Sequence, residues 1–121
     1  RGPLLPHLAL ALVGARYAGK AILDGVYNDV KNEEGFRAEC LQGKEMGFDG
    51  KTLIHPGQVE GANAAFAPSE EAVETARGVL EAWEGRTSHV VTHRGRLIEA
   101  LHVESARRTL AIHDAIAALR D

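Results

Sequence analysis

The 121-residue sequence has one cysteine, one tryptophan and one methionine, and only 5% of its residues are aromatic. A lone Cys40 cannot close an internal disulfide, and its place on a helical pattern predicts a buried thiol in a reducing, cytoplasmic setting. Basic residues are in no excess: 14 Lys and Arg stand against 17 Asp and Glu, for a formal charge of -3. With no basic patch and few stacking platforms, nucleic acid is not an expected partner. The apolar run at residues 8–13 falls well short of the ~20 needed to cross a bilayer, so no membrane association is expected. What is present is 45% hydrophobic residues, enough at this length for a domain with a core.

Leu5, Leu8, Leu12 and Ala15 recur at helical spacing with further apolar residues between them, predicting a buried first helix that stops at Gly19. Residues 21–26 are apolar except for Asp24 and read as a parallel strand covered on both faces. Glu33 and Glu34 suit a helix N-terminus, and Phe36, Cys40, Gly43 and Gly47 mark one face of that second helix. Asp49-Gly50 signals a turn and residues 51–54 a second short strand. Pro56 opens a third helix with Val59, Ala62 and Phe66 on one side, ended by Ala67-Pro68. The span from 21 to 51 has the length of a strand, a crossover helix and a return loop, so two βα units of an α/β fold are expected over 1–68.

Residues 69–121 read as a helical C-terminal extension. Ser69 is a candidate N-cap, with Glu70 and Glu71 in the first turn and Val73, Ala76, Leu80 and Trp83 as the apolar stripe up to Gly85. Residues 88–98 read as a small hairpin or ordered loop around Arg94-Gly95. A last helix from about His102 would turn Val103, Ala106, Leu110 and Ile116 or Leu119 toward a partner surface.

Chemistry concentrates in residues 47–59, where His55 and Gln58 land at the carboxyl end of the second strand, the end where α/β folds place their ligand loops. Gly50-Lys51-Thr52 matches only the end of a phosphate loop; Glu45 stands where glycine is required, and the lysine opens a strand instead of a helix. His89 and His93 have the i, i+4 spacing of a zinc site but lack the glutamate and sit among β-branched residues, so a surface pair is expected. Asp24 is one carboxylate near a strand end, better suited to internal pairing or to fixing the turn with Gly25 than to holding a metal.

Phe48-Asp49-Gly50-Lys51, then Ile54-His55-Pro56 and Gln58-Val59, followed by Asn63, Phe66 and Pro68, resembles the last barrel strand of the citrate lyase beta subunit family, within the HpcH/HpaI aldolase group. Residues 21–30 with Glu34 and Gly35 resemble the preceding strand and loop, and the similarity runs over about residues 8–110. The resemblance implies the last two βα units of a TIM (β/α)8 barrel, which needs about 250 residues in all, plus a C-terminal helical extension. It implies a magnesium-dependent carbon-carbon lyase that cleaves malyl-CoA, citramalyl-CoA or a citryl thioester to an acyl-CoA and a keto acid. A malyl-CoA thioesterase is the variant within the family.

The metal ligands of such an enzyme lie upstream, with none in this chain, and the enzyme would be a homo-oligomer, trimer or hexamer. Gly25, Val26 and Tyr27 match the backbone that lies against the acyl-CoA or acyl-carrier arm, with His55 and Pro56 beside the substrate. His55 serves there either as a proton carrier or as a partner for neighbouring backbone. In Gly95-Arg96-Leu97-Ile98-Glu99, Glu99 stands where the family has an aspartate that moves the enolate proton in a neighbouring subunit, and Ala100-Leu101 replaces the usual residue and proline. An acidic residue starting the last helix is the other reading of Glu99. The rival to an enzyme is a non-catalytic fragment or assembly module that packs through an exposed barrel edge.

Overall fold

The computed structural model describes residues 1–120, with one compact unit over Arg1–Phe66 and a second from Ala67 onward. In the first, a 3-10 turn at Gly2–Leu4 leads into helix α1, Leu5–Tyr17, which ends before Gly19 at φ +64°. Strand β1, Leu23–Asp24, pairs in parallel with β2, Gly50–Lys51, setting Leu23 opposite Gly50 and Asp24 opposite Lys51. Helix α2, Glu33–Met46, joins them. Asn32 caps it by accepting from the Gly35 N–H at 2.9 Å, and Gly47 at φ +109° terminates it in a conformation that favours glycine. Phe36, Cys40 and Gly43 face inward, as their spacing predicts, and Phe36 and Cys40 join Ala62 of helix α3, Val59–Phe66, in one core cluster.

Three expectations for this unit are corrected. The first helix is not buried: Leu12 is its one buried residue, while Leu10 and Val13 are 70% and 67% exposed. Its apolar residues surround the axis, so periodicity selects no face to cover. The strands are shorter than 21–26 and 51–54, although Asp49 N to Ile22 O (2.9 Å) and Thr52 N to Asp24 O (3.0 Å) extend the ladder at both ends. Beyond Thr52 the ladder stops because the Gln58 side chain takes the Ile54 N–H at 3.2 Å. The third helix opens with a 3-10 turn, Pro56–Gln58, and becomes α-helical only at Val59. The fold is α/β and rich in helix, and β1 and β2 each pair only with the other among the described residues.

In the second unit, Ser69 Oγ caps helix α4, Glu70–Glu84, by accepting from Ala72 N at 3.1 Å. The expected hairpin forms: β3, Thr92–His93, runs antiparallel to β4, Arg96–Leu97, through Arg94 and Gly95 at φ +49° and +74°. The extension is therefore helical with a small sheet. Helix α5, Ala100–Ala118, starts earlier than expected and buries Val103 and Ala106 against Ala76, Val79, Val91 and Ile98. His89 and His93 are not a surface pair: His93 is half-buried, its ring lies over Gly78, and its Nε2 has no hydrogen-bond partner.

A buried charge network joins sheet and helix in the first unit. The Lys51 ammonium, fully enclosed, donates to Asp24 Oδ2 (3.1 Å), Glu39 Oε2 (2.8 Å) and the Gly25 carbonyl (2.6 Å), using all three of its protons. Asp24 Oδ1 accepts from Arg1 Nη1 at 2.7 Å and from the Gly25 N–H at 2.8 Å, and Arg1 Nε lies 3.3 Å from Glu39. Two anions thus meet two cations, and Asp24 is structural, as its isolation in the strand suggests. Helix α2 reaches the carboxylate only through a glycine: a Cβ on Gly43 would lie 2.8 Å from Asp24 Oδ2. Burial pushes the Asp24 pKa up, but hydrogen bonds from Arg1 and Lys51, the Lys51 charge and the Gly25 N–H outweigh it and hold the group below its ordinary value. Burial also raises the Cys40 thiol.

Lys51→Met should lower the unfolding free energy of the full-length protein by about 3–5 kcal/mol, because two carboxylates lose their buried partner. Arg16→Met, which breaks a pair with Asp49 whose guanidinium is 40% exposed, should cost less than about 1 kcal/mol. Urea titrations of the two variants test the contrast. Because the folded-state pKa of Asp24 is depressed, its contribution is present above the unfolded value near ~3.9 and is lost as pH falls from there through the folded value. Stability measured against pH should fall below about pH 4, and Asp24→Asn should flatten that limb.

Candidate functional site

Because β1 and β2 are parallel, the loops that follow them leave from the same end of the sheet. The first loop begins with Gly25, Val26 and Tyr27; the second holds His55 and Pro56. Gln58 ties them together. Its side chain is buried, its Nε2 donates to the Tyr27 carbonyl at 3.1 Å, and its Oε1 accepts from Ile54 N at 3.2 Å. One amide thus satisfies a backbone acceptor of one loop and a backbone donor of the other, each of which would be costly to leave unpaired.

Gly25 and Val26 are exposed, and neither the N–H nor the carbonyl of Val26 has a hydrogen-bond partner among the described residues. Tyr27 is half-buried: its ring is tilted against Phe36 with centroids 6.1 Å apart, and its hydroxyl occupies the space where a side chain on residue 35 would stand, so a larger residue there would displace the ring. His55 is exposed and extended. Its Nδ1 accepts from Gly57 N at 2.9 Å, the backbone-bonding alternative for this residue, which leaves Nε2 pointing elsewhere for a ligand. Pro56 is exposed and occupies the first position of the 3-10 turn.

Glu99 belongs to the second unit. It is the exposed N-cap of α5 and forms a capping box with His102, whose Nδ1 accepts from the Glu99 N–H at 2.9 Å. Gly25, Val26, Tyr27, His55 and Pro56 are therefore gathered at one end of the two-stranded sheet, while Glu99 is in the other unit.

No group of three or more His, Cys, Asp or Glu side chains converges on a metal position among the described residues. Asp24 does not fit as a magnesium ligand, since both its oxygens are committed to the cations of Arg1 and Lys51. No helix among those residues is long and apolar enough to cross a membrane. Lys51, Glu39 and Gln58 emerge as the residues that shape the site. The signal for the first is present in the sequence: Asp24 and Lys51 are the single, opposite charges in two strands predicted to be neighbours.

The HpcH/HpaI aldolase/citrate lyase family model matches residues 8–56. A (3S)-malyl-CoA thioesterase of Cereibacter sphaeroides is 53% identical over 116 residues, covering 93% of this chain and 41% of that protein. The citrate lyase subunit beta of Haemophilus influenzae is 40% identical over 102 residues, covering 82% of this chain and 35% of that protein. The chain thus spans about two fifths of the length of the curated relatives it matches. Among solved structures, CitE from Mycobacterium tuberculosis, in complex with magnesium, acetoacetate and coenzyme A, superposes with a TM-score of 0.73 at 28% identity over 88% of this chain and 40% of that one. A citrate lyase from Burkholderia xenovorans shares the fold, with a TM-score of 0.77 over 97% of this chain and 37% of that one. Residues 8–56 thus carry an HpcH/HpaI aldolase/citrate lyase family domain.

Proposed function

We propose that this chain is the C-terminal part of a cytoplasmic, homo-oligomeric enzyme, trimer or hexamer, that acts on a short β-hydroxyacyl-CoA. Residues 1–68 would supply the last two βα units of its (β/α)8 barrel and residues 69–121 its C-terminal extension. The observation that carries the proposal is the presentation of the unpaired Val26 backbone beside His55 at one end of a parallel strand pair, in the segment that matches the family. The neighbour solved with magnesium, acetoacetate and coenzyme A supports a thioester substrate of this size.

In the lyase reaction, a general base takes the proton of the β-hydroxyl, and that oxygen becomes the carbonyl of the departing keto acid as the bond between the α and β carbons breaks. The electron pair is left on the thioester as an enolate, and Glu99 of an adjoining subunit gives a proton to its α carbon. Gly25, Val26 and Tyr27 would line the acyl-CoA arm, with His55 and Pro56 at the acyl end. Bound magnesium would stabilise developing negative charge on oxygen, with ligands from outside the described residues.

Thioester hydrolysis is the second reading. It is favoured by the 53% identity to a malyl-CoA thioesterase against 40% to a citrate lyase subunit. Water then attacks the thioester carbonyl and coenzyme A leaves as a free thiol.

Product analysis separates the outcomes. Full-length protein given malyl-CoA and magnesium should form glyoxylate and acetyl-CoA with no free thiol if it is a lyase, and malate with one thiol per turnover if it is a thioesterase. Neither product would sink the enzyme assignment in favour of an assembly module. Glu99→Gln should lower proton exchange at the acetyl-CoA methyl group by ~100- to 10,000-fold while leaving the melting temperature close to wild type. Retained exchange with a lower melting temperature would leave Glu99 as a helix cap only, whose loss costs about 0.5–2 kcal/mol.

A further inference from the structure

The loop carbonyls on either side of Val26 are both held from within the protein. The Gly25 carbonyl accepts from Lys51 at 2.6 Å and the Tyr27 carbonyl from Gln58 at 3.1 Å, while Val26 between them keeps its own N–H and carbonyl unpaired. Val26 itself is exposed, and its two unpaired backbone groups lie between these two held carbonyls. One free donor beside one free acceptor on a fixed backbone complements a secondary amide, the group that recurs along the pantetheine arm of coenzyme A and of acyl-carrier proteins.

Lys51 and Gln58 differ in what else they do. Lys51 also neutralises Asp24 and Glu39, so its loss disturbs the core. Gln58 is 4% exposed and carries no charge, and its side chain makes two hydrogen bonds among the described residues, both to loop backbone. Its contact with Tyr27 links positions 31 residues apart, which local turn geometry alone does not hold together.

Resting on the function proposed for this site, we propose that Gln58 is a positioning residue for thioester binding: by joining the Tyr27 carbonyl to the Ile54 amide, it holds the Val26 backbone in place for an amide of the pantetheine arm. The test compares kcat/KM of full-length wild type and Gln58→Met on malyl-CoA, on malyl-pantetheine and on S-ethyl malyl thioester, which lacks the arm's amides. Losing the alignment of one backbone hydrogen bond to the ligand is worth about tenfold.

Gln58→Met should therefore lose about tenfold on both malyl-CoA and malyl-pantetheine, chiefly in KM, and less than about threefold on the S-ethyl ester. An equal loss on all three substrates, or none on any, would overturn the role of Gln58 and leave the substrate assignment standing. A loss on malyl-CoA alone would place the effect on the nucleotide end and overturn it too. Wild type inactive on every thioester overturns the substrate assignment and this role together. If Gln58→Met does not fold, backbone hydrogen exchange of wild type decides: slower exchange at Val26 on adding pantetheine supports the role, and unchanged exchange refutes it.

Discussion

The first unit is built around one costly arrangement, a lysine and an aspartate side by side on neighbouring parallel strands and out of water. Two charges in such a place cost several kcal/mol each in lost hydration, and their attraction compensates only when every remaining proton and lone pair is also matched. Here Lys51 uses its third proton on a backbone carbonyl, and Asp24 accepts from Arg1 and from the Gly25 N–H. The consequences spread outward. Glu39 must stand on the facing turn of α2, that helix must present glycine at position 43, and strand register cannot slip without separating the charges. A network of this kind specifies one arrangement more strongly than an apolar patch would, because each alternative leaves an unpaired ion.

The same network reaches the candidate site directly. The ammonium that neutralises two carboxylates also fixes the carbonyl of Gly25, the first residue of the loop proposed to hold the thioester arm. Stability and ligand geometry therefore share one side chain at Lys51, and a substitution there cannot separate them. Gln58 carries the second hold on the same loop with no buried charge at stake. The division places the electrostatic cost deep between sheet and helix, and the alignment at the rim on a neutral amide.

How far the sequence discloses this follows from range. Caps and turns are local, so Ser69, Arg94-Gly95 and the inward face of α2 are legible from a few neighbouring residues. The parallel pairing is legible because a strand, helix and strand of that length have few other arrangements. The strand ends are not, since β2 is cut short by a side chain four residues beyond Ile54 that takes its backbone donor. Nor is the exposure of α1, whose apolar residues point in all directions and name no partner. The internal place of Asp24 is legible from its isolation among apolar residues, yet its partner lies 27 residues away and shows in the sequence only as a lysine opening a strand.

Glu99 caps α5 and, in the proposed reaction, would also carry a proton, two tasks that a single carboxylate reconciles only by moving. As N-cap of α5 it faces the first turn in a capping box with His102, worth about 0.5–2 kcal/mol to the helix. As a proton carrier it would have to leave that turn and reach a carbon atom of the substrate, for a gain of ~100- to 10,000-fold in rate, or about 3–5 kcal/mol. Proton transfer gains more than the cap loses, so capping does not preclude transfer; it sets a modest cost for the swing. Aspartate is the stronger N-cap of the two acids, because its shorter chain matches the distance to the helix N–H groups. Glutamate gives up some of that fit and gains a methylene of reach. If Glu99 both starts the helix and visits a neighbour, as proposed, the longer acid would let the side chain travel while the backbone of α5 stays in place.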